Sequence, residues 1–175
     1  MIVGRASVAP VLDPSRPVVG RGWLSRGEGP TASLVTTPGE LPVAGVRLDR
    51  PLMPLNPALR WQISGMLHDG VLRVDGCRPA DRQMRPDEPW LLPVGPTAPL
   101  AEMSRAVPLL EGSPLDEMAG CGWSVSTLGD EHFQMVTMMW WITAELVEWL
   151  RLHPEATIGH RIVPIIANDP ADLID

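Results

Sequence analysis

Two thiols, Cys77 and Cys121, are the side chains of this sequence best suited to nucleophilic chemistry, and each has a histidine nearby, His68 before Cys77 and His132 after Cys121. A thiolate nucleophile needs a base or a positive neighbour. Cys77 with His68 and Cys121 with His132 are therefore the two pairs a Cys-dependent enzyme would use. His132 follows Asp130 and Glu131 directly, the most suggestive cluster of titratable groups, although acids at this place also suit a helix N-terminus. No two of His68, His132, His153 and His160 have a tight metal-ligand spacing, and neither cysteine has a CxxC partner, so no metal site is indicated.

Cofactor signatures are equally scarce. No GxGxxG, GKS/T or GxSxG stretch occurs, and all 14 basic residues are Arg, which removes the lysines of phosphate loops and Schiff bases. We expect no cofactor and no small-molecule ligand. The net charge of −7 argues against nucleic acid, whose binding leans on clustered cations. A membrane span is not expected either, because the longest apolar run carries Glu145 and Glu148. The first residues lack the order of a secretory signal, which predicts a cytoplasmic protein or one incorporated in a virion. Codon bias of a GC-rich genome accounts for a lysine-free sequence with seven Trp and no Tyr.

One stretch suggests a specific enzyme. Arg50-Pro51-Leu52-Met53-Pro54-Leu55-Asn56-Pro57, an apolar strand through Trp61 and Ile63, His68 and then Gly76-Cys77 follow in an order that resembles the core of ubiquitin-conjugating-enzyme-like folds. The resemblance implies a thioester-forming Cys77 with His68 beside it, and a benefit from having no lysine to modify. Asp69-Gly70 stands where that family has Pro-Asn, and the residues after Cys77 do not follow its pattern.

The elements that would position these groups are short. From Met1 to Val74, apolar stretches broken by Pro and Gly predict strands, and the 20 prolines keep the sheet from being fully regular. Asp69-Gly70, between the alternating runs Leu59–Ser64 and Val71–Val74, predicts a tight hairpin. Residues 78–97 are polar and Pro-rich and read as a loop between sheet-rich and helix-rich parts. A helix is expected over Pro99–Val107, a single turn at Ser113–Glu117, a strand over Gly122–Thr127 and another over Thr157–Ala167, interrupted at Pro164.

The longest periodic pattern runs from Asp130 to Leu152. At 100° per residue, Met135, Val136, Met139, Thr143, Leu146, Val147 and Leu150 share one face, with Gln134, Thr137, Glu145 and Glu148 opposite. The pattern predicts one long amphipathic helix over about 130–152, with Trp140 and Trp149 flanking its buried face and Trp141 among the polar residues. An exposed Trp suits a partner interface. Trp141, Glu145 and Glu148 are accordingly the expected partner-binding residues.

These readings assemble into an α+β fold in a single domain, 1–175. It has a mainly antiparallel, barrel- or sandwich-like sheet from the N-terminal half, the long helix packed on it, and one or two short helices. Residues 1–30 read as an extended Pro- and Gly-rich arm. The expected function is a non-enzymatic protein-interaction or assembly subunit: a phage or virion component, an immunity or inhibitor protein, or part of a multi-protein complex. Its partner would be another protein or copies of itself. The alternative is a Cys-dependent enzyme, a degenerate ubiquitin-conjugating-enzyme-like protein using Cys77.

Overall fold

Short apolar runs separated by breakers do form strands along most of this protein. The computed structural model describes residues 2–3, 6–26, 32–36, 45–49, 56–81, 83, 96–117, 119–127 and 132–173, with the backbone alone at 2–3, 107, 117 and 119–127. In sequence order the strands are β1 (Ile2–Val3), β2 (Ala6–Val8), β3 (Val18–Arg26), β4 (Ala32–Val35), β5 (Val46–Leu48), β6 (Trp61–His68) and β7 (Val71–Pro79). They continue with β8 (Ala98–Pro99), β9 (Ala119–Thr127), β10 (His132–Met139), β11 (His160–Pro164) and β12 (Ile166–Ala167). The helices are α1 (Leu100–Ala106), α2 (Pro114–Glu117) and α3 (Ala144–Leu152), with 3-10 turns at Val107–Leu109 and Pro170–Asp172. Two compact units result, Met1–Leu12 with Leu91–Pro164, and Asp13–Trp90 with Ile165–Asp175. Each unit therefore draws on both ends of the sequence.

The unit built on Asp13–Trp90 is a closed barrel. Its strands run in the order β3-β4-β5-β7-β6, and β6 pairs back onto β3. Three consecutive strands with the fourth returning beside the first make a Greek key, and β7 closes the ring through a parallel contact with β5. Closure depends on β3 changing partners along its length. Val18–Gly22 pair with β6, whereas Trp23–Arg26 pair with β4. Burial alternates along β5 and β6, and Val18, Leu34, Leu48, Ile63, Leu72 and Val74 are buried. Burial of each of these residues contributes about 1.5–3 kcal/mol.

The β6–β7 hairpin turns at Asp69 (φ 48°) and Gly70 (φ 72°), the left-handed pair that a two-residue turn of this hand requires. At its open end Gln83 acts as an extra rung. Its side chain accepts from the Arg60 N–H at 2.8 Å and donates to the carbonyls of Arg60 at 2.9 Å and Ala80 at 3.0 Å. Arg60 itself is 2% exposed, with its guanidinium 5.9 Å from the centre of the Trp23 ring. A cation that deep is tolerable only with such electrostatic compensation.

The other unit is a sheet covered by helices. Its order is β1-β2-β11-β10-β8, with β9 also paired to β10. β2 and β10 run parallel to β11, so β10, α3 and β11 form a β-α-β crossover. Ala6, Val8, Met139 and Ile162 pack with Ile142, Leu146 and Leu150 and with Leu110 and Leu115. A second cluster joins Met103 and Ala106 of α1 to Ala98, Met135 and Ile158.

The long helix over 130–152 is not formed. Residues 132–139 are the strand β10, and only nine residues, Ala144–Leu152, are helical. The reason lies in burial. Gln134 through Met139 are all buried, so β10 is covered on both faces, and a run without alternation satisfies a 3.6-residue period as readily as a 2-residue one. The helix starts instead at Thr143, whose Oγ1 accepts from the Leu146 N–H at 3.1 Å. Asp130 and Glu131, expected as caps, lie outside the described residues. Nor is the sheet confined to the N-terminal half, since β9, β10 and β11 come from the C-terminal half. Of residues 1–30, read above as an arm, Ala6–Val8 and Val18–Arg26 are strands within sheets. Most of the 78–97 loop lies outside the described residues.

The shorter elements follow the sequence closely. α1 ends at Ala106 before Pro108, and Ser113 Oγ accepts from the Asp116 N–H at 3.3 Å at the start of α2. At Ile165 the last strand run leaves one sheet for the other, immediately after Pro164.

Two glycines of the hairpin separate sterics from backbone strain. A Cβ at Gly65 would lie 1.9 Å from the Arg73 carbonyl oxygen, whereas Gly70 has nothing within 4 Å. Gly65→Ala is expected to cost about 2–4 kcal/mol. Gly70→Ala should cost about 1–2 kcal/mol, from positive φ alone. Urea unfolding midpoints check the order.

A third prediction concerns His160, 1% exposed on β11, whose pKa burial pushes down from 6.5 to about 4. The unfolded protein takes up this proton below 6.5 and the folded one does not until about 4, so stability declines as pH falls through that window. Between pH 7 and 5 the loss amounts to about 2 kcal/mol. The same titration of His160→Leu should lack that portion of the decline.

Candidate functional site

Strand alternation decides what the two thiols can meet. On β6, Trp61, Ile63, Gly65 and Leu67 face inward, and Gln62, Ser64, Met66 and His68 face outward. A two-residue turn alone would place Cys77 opposite Gln62, on the outward face with His68. The ladder slips by one residue between Ser64 and Gly65, so that Cys77 stands opposite Ile63 and turns to the inner face. His68 is five residues further along β6, about 17 Å at strand rise. The structure therefore does not bring Cys77 and His68 together. Cys77 is half-buried, and burial pushes its thiol pKa up, which disfavours the thiolate. His68 instead contacts Asp69, its Nε2 3.2 Å from Oδ2 at the exposed hairpin tip. Cys121 is known by its backbone on β9, and His132 is exposed at the start of β10.

The expected partner-binding residues sit differently. Trp141 is not on a helix: it occupies the bend between β10 and α3 and is half-buried, as is Trp140. Glu145 and Glu148 are exposed on α3. Arg151 grips Glu148 through two hydrogen bonds of 3.0 and 2.7 Å, which holds the Glu148 carboxyl below its usual range. At 100° per residue, Glu145, Glu148 and Leu152 form one outward strip of α3, and Trp149 lies at its edge, half-buried and packed in part against the core. Leu152 is 59% exposed there. The Trp149 ring stacks on His153 with centroids 4.8 Å apart, and His153 Nδ1 lies 3.0 Å from the Trp149 carbonyl oxygen. This stacking holds an aromatic surface at the helix end, a feature that the linear pattern showed only as a Trp four residues before a His.

The barrel unit carries a recess of about 490 Å³, lined by Pro14, Met66, Leu67, His68, Arg73 and Asp75. Its position follows from the hairpin. Met66 and Arg73 are cross-strand neighbours on the outward face, and Asp75 is the extra residue of the slipped ladder. The Pro14 wall is tied down by Asn168, whose Oδ1 accepts from the Asp13 N–H at 2.7 Å and whose Nδ2 donates to the carbonyls of Asp13 and Pro17. Hydrogen bonds from Ser15 hold the Asp13 carboxyl below its usual range. Sequence reasoning singled out His68 here but missed Arg73 and Asp75, whose i, i+2 spacing puts them on one strand face but does not mark a recess.

No family model, curated protein or solved structure matches the protein. Its own fold defines the class: an α+β protein with mainly antiparallel pairings, comprising a Greek-key barrel and a helix-covered sheet. No helix among the described residues is long and apolar enough to cross a membrane.

The position of Cys77 yields a further expectation. In the folded protein its alkylation by iodoacetamide at pH 7.5 should be at least threefold slower than that of a free cysteine, measured by intact mass. A rate above that of the free thiol would restore Cys77 as an activated nucleophile.

Proposed function

We propose that this protein is a non-enzymatic protein-interaction or assembly subunit whose contact face is the outward strip of α3. The observation that carries the reading is the combination on that strip of an exposed Leu152 and the carboxylates of Glu145 and Glu148, with the stacked Trp149 ring at its edge. Aromatic and aliphatic anchors rimmed by charge are the usual anatomy of a protein contact. Trp141 is half-buried in the bend that precedes the same helix.

The mixed charge of the strip suits a second copy of the protein. Glu148 and Arg151 lie on adjacent turns, so a two-fold antiparallel pairing of two α3 helices sets the carboxylate of one copy near the guanidinium of the other. Sedimentation velocity over about 5–200 µM tests this, a span wide enough to cover weak association. The expected result is a concentration-dependent rise above 19.1 kDa that Leu152→Glu abolishes with the fold intact. A mass of 19.1 kDa throughout that range would overturn self-pairing through this strip.

A further inference from the structure

The recess on the barrel holds two charges of opposite sign that do not neutralise each other. Arg73 and Asp75 are both exposed and face outward from β7, two positions apart, about 6.6 Å along the strand. Among the described residues neither of these side chains forms an ion pair or a hydrogen bond. The apolar side chains of Met66 and Pro14 line the same recess. The wall carrying Pro14 is held in place by Asn168, and closure of the barrel fixes the hairpin, so the recess is formed before any ligand arrives.

We infer that this recess binds a small zwitterion, a free α-amino acid with an aliphatic side group. Its carboxylate accepts from the Arg73 guanidinium, its ammonium donates to the Asp75 carboxylate, and its aliphatic part lies on Met66 and Pro14. Charge-assisted hydrogen bonds of about 2.8 Å at each end, around a ligand whose charges are about 3 Å apart, span roughly 8–9 Å, which two flexible side chains with Cα atoms about 6.6 Å apart can reach. A purely anionic ligand would face Asp75, and beyond it Asp69, without compensation. A purely cationic one would face Arg73. The volume lies within the range of ligand pockets and accommodates an amino acid with bridging water. This site is separate from the α3 strip and does not depend on it.

The test is titration of the ¹⁵N-labelled full-length protein with L-leucine at pH 7, followed by amide shifts, alongside N-acetyl-L-leucine and L-leucine amide. Saturable shifts confined to the amides around Met66–Asp75 are expected, with Kd on the order of 1–10 mM for so open a site. Each blocked analogue, lacking one charge, should bind at least tenfold more weakly. Arg73→Gln should weaken leucine by a similar factor without weakening leucine amide, which it relieves of a like charge, and Asp75→Asn should weaken leucine without weakening N-acetyl-leucine, for the same reason. Because both positions are exposed, the dispersion of the spectrum verifies that each variant is folded. Preferential binding of N-acetyl-leucine would assign the recess to the C-terminal end of a polypeptide and overturn the proposal. Equal binding of all three compounds, shifts elsewhere, or no saturation by about 50 mM would overturn it as well.

Discussion

The contact on which the rest depends is the parallel pairing of β2 with β11, in which Ser7 stands opposite Arg161. A parallel pair needs a long connection, and here that connection is nearly the whole sequence. Its counterpart in the other unit is β12 against β3, Ile166 opposite Gly20. Neither sheet reaches its full width until the two ends of the sequence have been placed. Such pairings incur a large loop-closure entropy before burial offsets it, which makes this a slow-folding topology by nature.

Within that frame, local chemistry settles the details. The bend of β3 from β6 to β4 closes the barrel and removes exposed strand edges there, so the β6–β7 hairpin presents its outward side chains from a braced position. The one-residue slip at Ser64–Gly65 then does two things at once. It leaves Asp75 as the unopposed residue on the outward face beside Arg73, and it rotates Cys77 inward. The half-buried thiol with its raised pKa is a consequence of that bulge, whereas Arg73 and Asp75 share the outward face by strand alternation.

The α3 strip obeys a different logic. Thr143 starts the helix, Leu146 and Leu150 anchor it, and the nine residues between cap and His153 leave Glu145, Glu148 and Leu152 on the outward side, with Trp149 at its edge. The Glu148–Arg151 pair is exposed and contributes little to stability. Its use, on our reading, is to set charge complementarity around an apolar centre.

What the sequence by itself determined are the features whose cause is local. Asp69-Gly70 demanded a left-handed turn and formed one, Ser113-Pro114 began a single helical turn, and Pro164 ended a strand. Tertiary structure decided the rest. Residues 132–139 became a strand because β9, β8 and β11 supply hydrogen bonds to both of its edges and burial covers both faces, which erases the alternation that would have identified it. Trp141 thereby moved from a helix face to a bend. Cys77 turned from the face of His68 to the inner one through one unpaired residue, because strand register is set by the pairing of two segments and is written in neither alone.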